Sequence, residues 1–165
     1  MKKHAIRNIF TRKGFVALAA CALLACASLS ATPALAEMSK GQTLYVPCYS
    51  HIYHGVKTRP FDLTITLAVR NADPKRNLRL SAVDYYGSDG KLLKRYVGVE
   101  IIVPPLSTRE FIVDQNDSSG GAGASFMVRW RGDAAMNEPV VEAVMIGTAN
   151  SQGISFTSRG VVIQE

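Results

Sequence analysis

From residue 44 onward, apolar and polar positions alternate along the chain with a period of two. Phe61, Leu63, Ile65, Leu67 and Val69 alternate with Asp62, Thr64, Thr66, Ala68 and Arg70. Successive side chains of an extended strand point to opposite faces, so this run predicts a half-buried β-strand with its odd positions inward. Val97, Val99, Ile101 and Val103 repeat the pattern around Gly98 and Glu100, and Phe126, Val128 and Trp130 alternate with Met127, Arg129 and Arg131. Leu44, Val46 and Cys48 oppose Tyr45, Pro47 and Tyr49, and residues 140–148 and 153–163 are two further β-rich runs. Leu78, Leu80 and Ala82 share one parity while Val83 and Tyr85 share the other. A switch of parity inside one run predicts a β-bulge.

The breaks between these runs are turn chemistry. Asn71-Ala72-Asp73-Pro74 is a turn cluster, and Gly87-Ser88-Asp89-Gly90 reads as a hairpin turn in which glycine supplies positive φ. Pro104-Pro105 ends the strand before it, and Ser118 to Ser125 is a loop of small residues rich in glycine. No ten-residue stretch after residue 40 carries a period of 3.6. The fold class expected is therefore all-β: an antiparallel β-sandwich of seven or eight short strands, immunoglobulin-like by strand count. The cysteine pair of true immunoglobulin domains is missing, since Cys48 is the one cysteine after Ala36.

The first 36 residues follow a different plan. Lys2, Lys3, Arg7, Arg12 and Lys13 stand there without any acid, followed by an apolar run from Gly14 to Leu29 and the small-residue stretch Ser30 to Ala36. A basic start, a short apolar middle and an Ala34-Leu35-Ala36 end are the three parts of a helical secretory signal peptide. The apolar run is 16 residues, shorter than the ~20 a membrane-spanning helix needs. Two processing routes are open. Cleavage after Ala36 releases a soluble domain of residues 37–165. Alternatively, Leu23-Leu24-Ala25-Cys26 matches a bacterial lipoprotein box, in which acylation of Cys26 holds the protein on a membrane. The expected location is the periplasm or the medium in the first case and the envelope surface in the second.

This layout changes the meaning of the charge. The whole chain carries +6 and a pI of 9.4, which would point to a polyanionic partner. Five of the 19 Lys and Arg lie in the leader, and the remaining 129 residues hold 14 of them against 13 Asp and Glu. The domain is nearly neutral, so no nucleic-acid partner is expected. The membrane contact expected is that of the signal peptide or lipid anchor.

Candidate chemistry is sparse. Cys48, His51 and His54 are the only cysteine and histidines after Ala36, and their C-x₂-H-x₂-H spacing brings thiolate and imidazole together as zinc or copper ligands do. The difficulty is parity: residues three apart on a strand face opposite ways, and Cys48 shares the inward parity of Leu44 and Val46. Convergence of His51 and His54 requires a turn, which His54-Gly55 allows. Asp114, Asn116 and Asp117 resemble calcium ligands but lack the later glutamate of an EF-hand, and read as a solvated loop. Arg131-Gly132-Asp133 reads as a polar turn after the Trp130 strand. There is no Gly-x-Ser-x-Gly elbow and no P-loop, so no catalytic residue and no enzyme activity are expected. Tyr45, Tyr49 and Tyr53 could form an aromatic stripe on the N-terminal strand, a face suited to a partner. If that strand is an edge, it could accept a partner's strand by addition.

The stretch Gly41-Gln42-Thr43-Leu44-Tyr45-Val46-Pro47-Cys48-Tyr49-Ser50-His51-Ile52-Tyr53 resembles the opening motif of a bacterial family, domain of unknown function 3124. The likeness continues through Leu67 to Asn71, Asp84-Tyr85-Tyr86, Leu106 to Asp114 and Val128-Arg129-Trp130. The resemblance implies a small exported or lipid-anchored protein of one β-sandwich domain, and it implies no activity. The resulting expectation is a non-enzymatic binding or envelope-assembly module whose partner is an envelope protein or ligand. The alternative is periplasmic zinc or copper binding through His51 and His54, with or without Cys48.

Overall fold

The computed structural model describes residues 38–149 and 152–164, all within the unit Glu37–Glu165. The expected signal peptide, with its candidate processing residues Ala36 and Cys26, lies outside the described residues. The strands are β1 Met38–Pro47, β2 His51–His54, β3 Arg59–Asp62, β4 Thr64–Arg70, β5 Leu78–Tyr86, β6 Leu92–Val97, β7 Ile101–Val103, β8 Thr108–Val113, β9 Ser125–Asn137, β10 Val140–Ala149, β11 Gln152–Arg159 and β12 Val161–Ile163. One sheet has the order β12-β1-β9-β5-β6, with β7 also paired to β5; the other runs β11-β10-β4-β8. Strands β2 and β3 form a separate hairpin. Every pairing is antiparallel.

Alternation builds this architecture. Leu44, Val46, Leu80, Val83, Phe126, Val128 and Trp130 face inward from the first sheet, and Ile65, Leu67, Val69, Val113, Val141, Ala143 and Met145 from the second. The two rows meet in one core, so the fold is the antiparallel β-sandwich that the period of two predicts. The expected bulge is present: the β5–β9 register shifts between Leu80 and Ala82, leaving Ser81 as the extra residue. Its hydroxyl donates to the Arg129 carbonyl at 3.1 Å. The Gly87–Gly90 turn also forms, with Gly90 at φ +76°.

Four expectations are corrected. The run Val97 to Val103 is not one strand. It breaks at residues 98–100 into β6 and β7, both against β5, and Val99 is 82% exposed. The break frees Glu100 to accept from Arg79 (3.3 Å) and Arg131 (2.8 Å) on the outer face. The run 153–163 divides at Gly160, where the chain crosses from β11 in one sheet to β12 in the other. Gly160 sits against Val46, Leu44 and the Val141 carbonyl, where a Cβ would press at 3.1–3.3 Å. The turn expected at Arg131-Gly132-Asp133 is instead a bulge inside β9, because Arg131 pairs with Gly41 and the next paired residue, Met136, with Ser39. Finally, the N-terminal strand is not an edge: β1 lies between β9 and β12.

The Asn71–Asp73 turn is a buried polar knot. The Asn71 amide donates to the carbonyls of Arg76 (2.8 Å), Val103 and Pro104 (both 3.0 Å), tying the β4–β5 turn to the end of β7. Asp73, 1% exposed, accepts from the Lys75 and Arg76 amides at 2.9 Å and from the Asn137 amide at 3.0 Å. These donors, the Lys75 amide first, outweigh desolvation and hold the Asp73 carboxyl at about 2, below its ordinary 3.8. A carboxyl held low in the fold stabilises it above the ordinary carboxylate range, and that contribution is lost as pH falls through the folded value. The thermal midpoint should therefore drop between pH 4 and pH 2. Asp73→Asn should lower the midpoint at pH 7 and show a smaller acid drop, both measurable by circular dichroism.

Candidate functional site at the hairpin

After β1 the chain leaves the first sheet through Cys48-Tyr49-Ser50. The Cys48 amide donates to the Ala124 carbonyl (2.9 Å) and the Ser50 amide to Gly121 (3.1 Å), both in the glycine-rich loop. Gly121, at φ +77°, supplies the left-handed backbone that this loop needs. Ser50, fully buried, then receives the Leu63 amide on its own carbonyl at 2.8 Å. The hairpin β2–β3 is thus tied at its base on both sides and projects between residues 51 and 62.

Register decides where its side chains go. Ile52 pairs with Phe61 and His54 with Arg59, while His51 pairs with Asp62 and Tyr53 with Pro60. Cross-strand partners share a face, so His51 and Tyr53 lie on one side, and Ile52, His54 and Phe61 on the other. His51 Nε2 is 3.2 Å from the Tyr53 hydroxyl, and the His54 ring meets Phe61 edge-on, centroids 5.5 Å apart. Phe61 packs down on Gly147 of β10, where any Cβ would collide with its ring.

Ile52, His54 and Phe61 form one wall of a groove of about 450 Å³, and Gln152, Gly153 and Ile154 of β11 form the other. Ile154 pairs with Gly147, whose strand turns Val141, Ala143 and Met145 inward, so the groove opens onto the inner face of the second sheet. Mostly apolar walls and a single imidazole suit the holding of an apolar group better than bond-making. A second concavity of about 280 Å³ lies beside the Gly87–Gly90 turn, between Tyr45, Tyr86, Ser88 and Met127.

The residues singled out in the sequence are dispersed. Cys48 is 1% exposed in the core and His51 and His54 face opposite sides of β2, so the fold does not bring the three candidate zinc or copper ligands together. Among the described residues no three His, Cys, Asp or Glu side chains gather to hold an ion. Strand geometry is the reason: three residues along β2 invert the side-chain direction. The tyrosines retain exposed surface but do not share one stripe: Tyr45 borders the second concavity, Tyr49 packs edge-on against Phe156 at 5.7 Å, and Tyr53 stands 60% exposed on the hairpin. Arg131 and Asp133 are each ion-paired, with Glu100 and Arg79, so that tripeptide is part of the outer face of its sheet. Asp114 and Asp117 accept from their own loop, at Asn116 and Ser119. Ile52, Phe61, Gln152 and Ile154 were missed in the sequence because the groove exists only once β11 and the hairpin meet.

Burial pushes the Cys48 thiol up to about 12 from 9.0, so at neutral pH it is neither a thiolate ligand nor a nucleophile. A disulfide reagent at pH 8 should label Cys48 roughly 10³-fold more slowly in the native protein than in denaturant, read by peptide mapping at that residue.

A crystal structure of Thermotoga maritima 1070 superposes with a TM-score of 0.45 at 8% identity, covering 73% of this chain and 92% of that one. No curated protein matches the chain. The model of one family, described as a protein of unknown function, DUF3124, matches residues 41–163, from Gly41 in β1 through β12. The chain belongs to the DUF3124 family.

Proposed function

We propose that the chain is an exported, non-enzymatic binding or assembly module of the cell envelope, and that it takes an extended polypeptide segment along β11. The observation that carries this reading is the edge of the second sheet. Strand β11 is paired on one side only, with β10, and its residues Gln152–Ile154 border the apolar groove. A free strand edge offers a row of backbone donors and acceptors, and a pocket beside it selects a side chain of the added strand. The sequence Gln152-Gly153-Ile154-Ser155 carries no Pro, Lys or other charge that would block such pairing. Ile154, 38% exposed, presents apolar area to the groove. The sequence expectation of strand addition thus moves from β1 to β11. Export rests on the leader pattern: cations up to Lys13, an apolar run, and Ala34-Leu35-Ala36.

The test is photo-crosslinking in the native cell with p-benzoylphenylalanine at Gln152. A discrete polypeptide adduct is expected there, reduced about tenfold or more by Ile154→Asp. Equal adducts from the same probe at Arg109, on the opposite edge strand β8, would overturn the reading, as would insensitivity to Ile154→Asp. Export has its own measurement. Intact mass of the protein from the envelope or medium should correspond to a chain starting at Glu37 or at an acylated Cys26; an unprocessed chain confined to the cytosol overturns export.

A further inference from the structure

The tip of the β2–β3 hairpin combines features that its own fold does not use. Val56 is fully exposed at the turn and Tyr53 is 60% exposed just before it. Residues 51–61 contain His51, His54, Lys57 and Arg59 and no Asp or Glu, although the chain after Ala36 is nearly balanced in charge. Five arginines elsewhere are ion-paired: Arg70 with Glu142, Arg76 with Asp73, Arg79 with Asp133, Arg95 with Asp84 and Arg131 with Glu100. Lys57 and Arg59 make no ion pair among the described residues.

The shape of the turn is held at a cost. Thr58 has φ +45° and Gly55 φ +72°, with the Thr58 amide donating to the Gly55 carbonyl at 3.3 Å. A β-branched residue in the left-handed region is strained by about 1–3 kcal/mol. Beside it, His54, Gly55, Val56, Lys57 and Arg59 line a concavity of about 350 Å³, open at the tip.

We propose that this tip docks on an anionic lipid surface, with Val56 entering the interface, Tyr53 at headgroup depth, and Lys57 and Arg59 on lipid phosphates. Each part matches what a bilayer interface rewards: burial of an apolar side chain, an amphipathic ring at the polar boundary, and cations near negative headgroups. The occupant is chosen by charge complementarity. Two cations without an ion-pair partner stand beside Val56, the most exposed large apolar residue among the described residues. The proposal goes beyond the β11 reading and does not depend on it, because Val56 is not among the groove-lining residues.

The test uses the full chain and a probe at the tip, so that attachment through residues 1–36 cannot imitate it. The chain has one tryptophan, Trp130, which is 2% exposed and reports the core. In Val56→Trp the new indole should shift to shorter wavelength on vesicles of phosphatidylglycerol and phosphatidylcholine, and be quenched by lipids brominated in the upper acyl chain. Adding Lys57→Glu and Arg59→Glu should weaken that vesicle-dependent signal roughly tenfold at 0.1 M salt. An unshifted Trp130 emission in each variant establishes that the core is intact, and Val56 is exposed enough that its replacement leaves packing alone. No tip signal on anionic vesicles overturns the proposal. So does equal signal on pure phosphatidylcholine, or an equal response to inorganic phosphate without vesicles, which would make the tip a site for a free anion. A tip signal that appears only with a crosslinked polypeptide partner present would assign the hairpin to that partner instead.

Discussion

The hairpin stands where it does because of a short link, Cys48-Tyr49-Ser50, fixed by backbone hydrogen bonds to two different parts of the chain. On one side its amides reach Ala124 and Gly121; on the other the Ser50 carbonyl takes the Leu63 amide. The Ser50 hydroxyl sits 3.2 Å from the carbonyls of both Ser118 and Gly121. A buried hydroxyl is tolerated only with such partners, since leaving it unpaired costs about 1–3 kcal/mol. Cys48 beneath it adds packing without charge. The link carries the chain out of the first sheet at Pro47 and delivers it to the second at Thr64, with the hairpin as the excursion between. The groove, the paired faces of β2 and β3, and the projecting tip all inherit their placement from this point.

Much of the architecture was legible in the alternation alone. The inward row Leu63, Ile65, Leu67 and Val69 is buried as its parity requires, and the parity switch after Ala82 marked a real bulge. What escaped was decided by pairing between distant segments. Val97 to Val103 has flawless alternation, yet strand β5 beside it bulges at Ser81, and the neighbouring chain breaks at Gly98 and Val99. Whether a strand is interior or edge depends on partners far away in sequence, so β1 looked available while β12, nearly 120 residues later, covers it. The candidate site was half readable. His51, Tyr53 and His54 drew attention by residue type, and a turn at His54-Gly55 was expected. The opposite wall, Gln152 to Ile154, has no local signature that ties it to Phe61.

The outer face of the first sheet shows why net charge describes this domain poorly. Arg79 and Arg131 share Glu100, Arg79 also grips Asp133, and Asp84, almost buried, accepts from Arg95 at 3.0 Å. The pairs of Arg79 and Arg131, which are open to solvent, contribute about 0–1 kcal/mol each. Their effect is positional: they fix the break between β6 and β7 and the bulge of β9, and they leave that face electrically quiet. The cations of the hairpin are left standing against this neutral background.

Gly160 gives the sandwich a mechanical seam. Through it a single run of chain serves as the edge of one sheet and then, a residue later, as the edge of the other. The Gly160 amide donates to the Val141 carbonyl at 2.9 Å while the residue rests on Leu44 and Val46. That flank of the sandwich is therefore stitched covalently by a single residue, whereas β7 and β8 on the other flank are joined through the four residues 104–107. A force drawn along β12 would first peel its three pairs with Thr43, Leu44 and Tyr45. Past Gly160 the same force would load β11 against β10, which hold eight pairs in register. The seam thus acts as a stop between a weak zipper and a strong one, on the flank that also bears the free edge of β11.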